Sequence, residues 1–417
     1  MVLSVDGMRP DFYRRPRDYG LKIPTLLGLV QSGASADAVE SIYPTTTYPA
    51  HATLVTGVPP REHGIYSHLA SLDPTEKARP WCWFARALRV PALWDIVRAS
   101  GRRAAAISWP VSAGAAIDHN IPEIWNPTVA DPHRDFETAA RHSTPGLFEE
   151  VARVLQPLLA QATPDRLRGE AALYLWRQYK PDLLLVHFVR YDQLAHRHGP
   201  TSPEALAAIE EADQEIARLA GAAAGGGPVT VVVLSDHGFV AVEKEVAPLI
   251  ILAEEGLIAR NAKGRVELKR LGAVHAGGSF TVYWLEKPSA EDEQALQRAV
   301  QRLLETGAVE EVLDRERIEA LEADPDAELA LEAAAGFYFS DRLEGAVVQD
   351  SPKERGTHGH LPHRPGLEAS FIAVGPGVAP GKNLGLISLK QIAPTLAREL
   401  RLPRGILASK AQPLELV

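Results

Sequence analysis

Five unbroken apolar runs constrain this chain most: VLSV ahead of Asp6, AAAIS at 104–108, DLLLVHFV at 182–189, VTVVVLSD at 229–236 and SFIAVG at 370–375. A strand with one wet face alternates apolar and polar residues, so unbroken runs mean strands covered on both faces, as in a parallel sheet between helical layers. Helical patterns fall between them: PTLLGLVQSG ending at Gly33, PALWDIVRASG ending at Gly101, the stretch from Pro203 to Ala224, and SLKQIAPTLARELRL near the C-terminus. The first two have proline near the start and glycine at the end, the usual punctuation of a helix. Strands alternating with helices predict an α/β fold, a doubly wound, mostly parallel sheet with helices on both faces.

Between His237 and His358 the pattern changes. SFTVYWL at 279–285 alternates, and charge-rich helical segments such as EDEQALQRAVQRLLE follow it. Core-like strands lie on both sides, so 1–240 and 350–417 read as one catalytic core and 241–349 as an inserted α/β subdomain. The 417 residues suffice for that plan. A net charge of -9 argues against a partner held by its phosphate backbone, so no binding of duplex nucleic acid is expected. The single cysteine, Cys82, excludes an intramolecular disulfide framework and a thiolate cluster, leaving histidines and carboxylates for any metal. No apolar run approaches the roughly 20 residues of a membrane span. No charged leader precedes an apolar segment, so the expected compartment is cytoplasmic, or periplasmic or secreted if a leader has been lost ahead of MVLSVDG.

In open α/β sheets, ligands bind beyond the carboxyl ends of the strands. Polar residues stand there in four places: Asp6 after VLSV, Asp192 and His196 after LLLVHFVRY, Asp236 and His237 after VTVVVLS, and His358 in GTHGH before the last core strand. Asp192 and His196 are four apart, which puts them on one face of a helical turn. The Asp236–His237 pair needs a sharp turn to reach one ion, and Gly238 is read as permitting it. Each residue alone could be a helix cap or a satisfied polar group; together they would crowd like charges unless cations intervened. Asp and His donors suit zinc, and manganese or iron also fits. His51 and His63 read as structural, while His360 and His363 lie close enough to His358 to replace it.

The segment YPTTTYPAHATLVTG, Tyr43 to Gly57, reads as a helix start with three threonines. They could cap the helix. A hydroxyl there also faces unpaired N–H groups and the positive end of a dipole, where it could attack a phosphate.

The ordered segments SVDGMRPDF, YPTTTYPAHATLVTGVPPREHGI, FVRYDQLAHRHGP, LSDHGF and GTHGHLP followed by FIAVGPG resemble the nucleotide pyrophosphatase/phosphodiesterase family of the alkaline phosphatase superfamily. The resemblance implies two zinc ions, a threonine nucleophile and a small phosphodiester or nucleotide substrate. Thr47 falls on the nucleophile. Asp6, Asp236 and His237 fall on the ligands of the zinc that activates it, and Asp192, His196 and His358 on those of the other. Two positions depart from the family: Ala50 and His68 stand where asparagines are common, the second of which donates to a phosphoryl oxygen. A C–P hydrolase resembling phosphonoacetate hydrolase, a phosphomonoesterase and a phospho-group transferase are the rival chemistries, and a catalytically silent metal-stabilised binding protein is the rival of a different class. No arginine lies near Thr47 before Arg61, so a neutral His68 suits a singly charged diester. Protonating His68 as pH falls should narrow that preference.

Overall fold

The computed structural model describes residues 1–73, 79–129, 135–225, 227–260, 266–268, 270–351, 353–403 and 405–417. Eight strands form the central sheet, in spatial order Lys382–Asn383, Ala34–Ser35, Phe371–Val374, Val231–Leu234, Val2–Val5, Leu183–Phe188, Ala104–Ile107, His119–Ile121. From Val231–Leu234 to His119–Ile121 every pairing is parallel. Phe371–Val374 runs antiparallel to both of its neighbours, a direction that apolar composition does not encode.

The unbroken runs arise because successive side chains serve two different cores. Leu3, Leu184, Val186 and Phe188 join one apolar cluster, and Val2, Leu183 and Leu185 join the other. Helices Pro24–Ser32, Pro164–Tyr179 and Pro203–Ala224 close the first face through Leu26, Leu173 and Ile209. Helices Thr47–Thr56, Leu93–Ala99 and Ile392–Glu399 close the second through Leu54, Trp94 and Leu396. Each such aliphatic side chain contributes roughly 1.5–3 kcal/mol by leaving water, so both layers are held firmly to the sheet.

A separate antiparallel sheet, ordered Leu271–His275, Ser279–Trp284, Leu329–Ala333, Val309–Leu313, packs against helix Ala290–Glu305. It is tied to the segment around His358 by several hydrogen bonds. Gly278 N–H donates to the His358 carbonyl at 2.7 Å, and the buried Glu332 accepts from His360 Nδ1 at 2.7 Å and from Arg364 Nε at 3.1 Å. Among the described residues no helix is long and apolar enough to cross a membrane.

Candidate active site

Strand order alone brings the polar strand ends together. Val2–Val5 lies between Val231–Leu234 and Leu183–Phe188, so Asp6, the Asp236–His237 pair and helix Arg190–His198 emerge side by side. That helix carries Asp192 and His196 on one turn, and His358 arrives from the segment after Gly356–Thr357. Six candidates thus form two groups that could each hold a cation: Asp6, Asp236 and His237, and Asp192, His196 and His358, with each group's donor atoms within 4.8 Å of one another. The groups are adjacent, since the His237 and His358 rings stack at 3.8 Å.

In each histidine one nitrogen is anchored and the other is aimed inward. His237 Nδ1 donates to the Gly238 carbonyl at 2.9 Å, His358 Nδ1 to the Thr45 carbonyl at 2.9 Å, and His196 Nδ1 to Glu354 at 3.0 Å and the Gly356 carbonyl at 3.1 Å. Their Nε2 atoms converge on carboxylates. His237 Nε2 lies 3.2 Å from Asp236 Oδ2 and 3.4 Å from Asp6 Oδ1, and those of His196 and His358 each lie 3.5 Å from Asp192 Oδ1. Those three carboxylate oxygens are buried and accept no hydrogen bond. Buried acceptors normally find a donor, so three orphans aimed at imidazole nitrogens are what a cation site requires. Burial, and then the charges of Asp236 and Asp192, push the Asp6 carboxyl well above its ordinary range. Burial, with His237 and His196 beside it, holds His358 well below the usual imidazole value, in the neutral form that binds metals.

The three threonines divide their work, and none caps the helix through its side chain. Thr46, the N-cap, has no side-chain capping bond. Thr45 ties the start of helix Thr47–Thr56 to the His358 segment: its hydroxyl donates to the His360 carbonyl at 3.0 Å and accepts from Gly359 N–H at 3.0 Å. Thr47 opens helix Thr47–Thr56, and its Oγ1 lies 3.4 Å from His237 Nε2.

The reading of Gly238 needs adjustment. Gly238 is required by close approach rather than by an unusual turn, because a Cβ there would stand 2.2 Å from the Gly366 carbonyl oxygen. His51 and His63 are buried, each with both ring nitrogens hydrogen-bonded, and burial pushes both pKa values down to about 3. His360 is engaged by Glu332 and His363 is exposed, leaving His358 in the group. Trp109 is core, packed edge-on against His51. An apolar cavity of about 160 Å³ is lined by Ile121, Glu123, Trp125 and Phe136 together with Phe148 and Leu167.

His68 sits at the start of a hairpin, where Cys82 N–H donates to its carbonyl at 2.8 Å and its ring meets Trp81 edge-on at 4.8 Å. Burial, then the charges of His275, Arg79 and His196, lower its pKa to about 3, so it does not titrate near neutrality as its sequence position suggests. Arg79 was invisible from the residues around Thr47 because it lies thirty-two positions beyond Thr47, and the hairpin brings it near His68; its Nη2 lies 3.2 Å from Asp341. His187 and Glu354 were also missed. His187 hides in LLLVHF as its one polar member, which is the signal that could have found it, and Glu354 precedes GTHGH without any pattern.

The family model for type I phosphodiesterase / nucleotide pyrophosphatase matches residues 1–361, most of the chain. The chain belongs to that family. Among curated proteins, it is 24% identical over 250 residues to the rat ectonucleotide pyrophosphatase/phosphodiesterase family member 3, covering 57% of this chain and 24% of the relative. It is 28% identical over 251 residues to an uncharacterized pyrophosphatase/phosphodiesterase of Schizosaccharomyces pombe, covering 57% of this chain and 44% of the relative. The alignments thus span less than half of those relatives' lengths. A solved structure of murine ectonucleotide pyrophosphatase/phosphodiesterase 5, an inactive variant in complex with AMP, is similar in fold, with a TM-score of 0.67 and 19% identity over 96% of this chain and 94% of that one.

Proposed function

We propose that this chain hydrolyses phosphodiester or pyrophosphate bonds with the aid of two zinc ions, favours nucleotide-type substrates, and acts through a phosphothreonine formed on Thr47. One observation carries the reading: Thr47 Oγ1 stands at a helix start, 3.4 Å from His237 Nε2, beside buried carboxylate oxygens that accept no hydrogen bond. Asp6, Asp236 and His237 would hold one ion, and Asp192, His196 and His358 the other; manganese or iron suits the same donors. When bound, such ions lower the pKa of a coordinated hydroxyl and offset charge on attacking and leaving oxygens.

The chain's own residues do the rest. Thr47 Oγ attacks phosphorus, the P–O bond to the leaving group breaks, and water then hydrolyses the phosphothreonine. The N–H groups of Thr47 and Tyr48 precede the first intrahelical bond of this helix, from Ala50 N–H to the Thr46 carbonyl, and point charge stabilisation at the transferring phosphoryl group. A neutral His68 offers a donor at the cleft. The AMP complex of the murine structural neighbour supports a nucleotide-type substrate here. We further propose that 241–349 is an inserted subdomain shaping the leaving-group side.

A second reading, a phosphomonoesterase or C–P hydrolase of the same superfamily, gains from Arg79, a cation that the residues around Thr47 lack. Turnover of aryl phosphodiester, dinucleotide, aryl phosphomonoester and phosphonate substrates by zinc-loaded and chelated protein tests both. Diester or pyrophosphate cleavage that a chelator abolishes and zinc restores is expected; full activity in metal-free protein would sink the mechanism.

A further inference from the structure

Asp6 divides its carboxylate between two tasks. Oδ1 accepts no hydrogen bond and faces His237 Nε2, while Oδ2 accepts from His187 Nε2 at 3.1 Å. His187 is fully buried, the one polar side chain of strand Leu183–Phe188. A buried imidazole in an apolar strand is costly unless it is paired on both sides, and it is. Its Nδ1 donates to Glu123 Oε2 at 3.0 Å and lies 3.2 Å from the Ser108 carbonyl. The other Glu123 oxygen accepts from the Tyr48 hydroxyl at 2.9 Å, and Tyr48 follows Thr47 in the nucleophile helix.

The backbone is bent to complete this arrangement. Ser108 adopts a left-handed conformation with φ of 52°, and its hydroxyl accepts from Arg168 Nε at 3.1 Å. A non-glycine residue keeps such a conformation only where its surroundings over-determine it. The path Asp6–His187–Glu123–Tyr48 therefore runs from a proposed metal ligand round to the neighbour of the proposed nucleophile. It bypasses the cation cluster itself.

We propose that His187, oriented by Glu123, is a positioning residue for Asp6: it holds Oδ2 so that Oδ1 alone turns to the cluster, and through Glu123 and Tyr48 it keeps that oxygen in register with Thr47. The inference rests on the metal reading of Asp6 given above. Partners that orient a ligand from behind typically govern 10- to 100-fold in metal affinity, so the effect is measurable apart from turnover.

The test titrates zinc into metal-free protein against a chromogenic chelator. An Asp192→Ala background isolates the Asp6 cluster, and an Asp236→Ala background isolates the other. His187→Ala should weaken zinc at the Asp6 cluster by about 10- to 100-fold and leave the other cluster within about twofold. His187→Gln, which restores a donor near the Nε2 position, should recover most of the loss. With Asp192 and Asp236 intact and zinc saturating, His187→Ala should lower kcat for an aryl phosphodiester with KM within about twofold. Glu123→Gln should weaken the Asp6 cluster alone by several-fold, and it decides the matter if His187→Ala fails to fold. Parental zinc affinity at the Asp6 cluster in the folded variants overturns the proposal. Equal weakening of both clusters also overturns it, by marking His187 as merely structural. Selective weakening in a protein whose parent hydrolyses no phosphodiester would support this inference while rejecting the proposed function.

Discussion

Asp6, Asp236 and His237 expose 5%, 0% and 0% of their side chains, whereas Asp192, His196 and His358 expose 16%, 30% and 13%. The difference follows from what each cluster is built on. The first stands at the ends of two adjacent central strands and is roofed by helix Thr47–Thr56; the second stands on a helical turn and a returning segment. Thr47 belongs to the dry side. A hydroxyl is hard to deprotonate in water, and a low-dielectric, water-poor setting strengthens every charge acting on it. In the proposed mechanism the wetter side suits the departing oxygen and the water that follows it.

The largest effect that could break this comparison is at Thr47. Thr47→Ala should lose several orders of magnitude in turnover while both clusters keep their zinc, and Thr47→Ser should stay active. Near-parental hydrolysis by Thr47→Ala would mean that the dry cluster does not serve the nucleophile.

Next come the clusters themselves. Asp236→Ala should cost about a hundredfold or more in kcat even at saturating zinc, because it disarms Thr47, whereas Asp192→Ala should be rescued to within about tenfold by added zinc. Equal, unrescued losses would erase the distinction between the two sides.

A smaller effect is expected from behind the wetter cluster. Glu354 accepts from His196 Nδ1 at 3.0 Å and so orients the ring with its other nitrogen toward Asp192. Glu354→Ala should weaken zinc at the Asp192 cluster alone by roughly tenfold, read by the same chelator competition. Loss at the Asp6 cluster instead would show that the two are not independent.

The smallest effect concerns His68. Its pKa in the folded chain is lowered to about 3, so it stays neutral from pH 9 down to 5.5 and contributes no change of charge in that window. The diester-to-monoester ratio of kcat/KM should therefore shift by less than about twofold between wild type and His68→Asn across that range. A ratio that falls in wild type alone below about pH 6.5 would show that His68 does charge there, and that the cleft is wetter than its burial indicates.

Much of the plan was legible in the chain. The five apolar runs announced a covered sheet because burial on both faces removes the need for alternation, and the strand ends announced their polar residues because a sheet can present ligands only where its strands stop. Spacing on one helical turn paired Asp192 with His196. The grouping of the six candidate ligands around Thr47 came from resemblance to a family, since strand order across a sheet is not written in any local pattern. Three things had to wait for the fold. The antiparallel course of Phe371–Val374 depends on the path of the connection before it, and Arg79 comes near His68 only because the segments around His68 and Cys82 pair. The supports behind the ligands, His187 with Glu123 and Glu354 with His196, are single residues on unrelated segments, brought to hydrogen-bond distance by packing. Sequence by itself determined which faces are buried and which residue types stand at the sheet's mouth, because hydrophobic periodicity is local. Tertiary structure decided which atom of most of them faces inward, because anchors such as Thr45 for His358 and Glu354 for His196 lie far off in the chain.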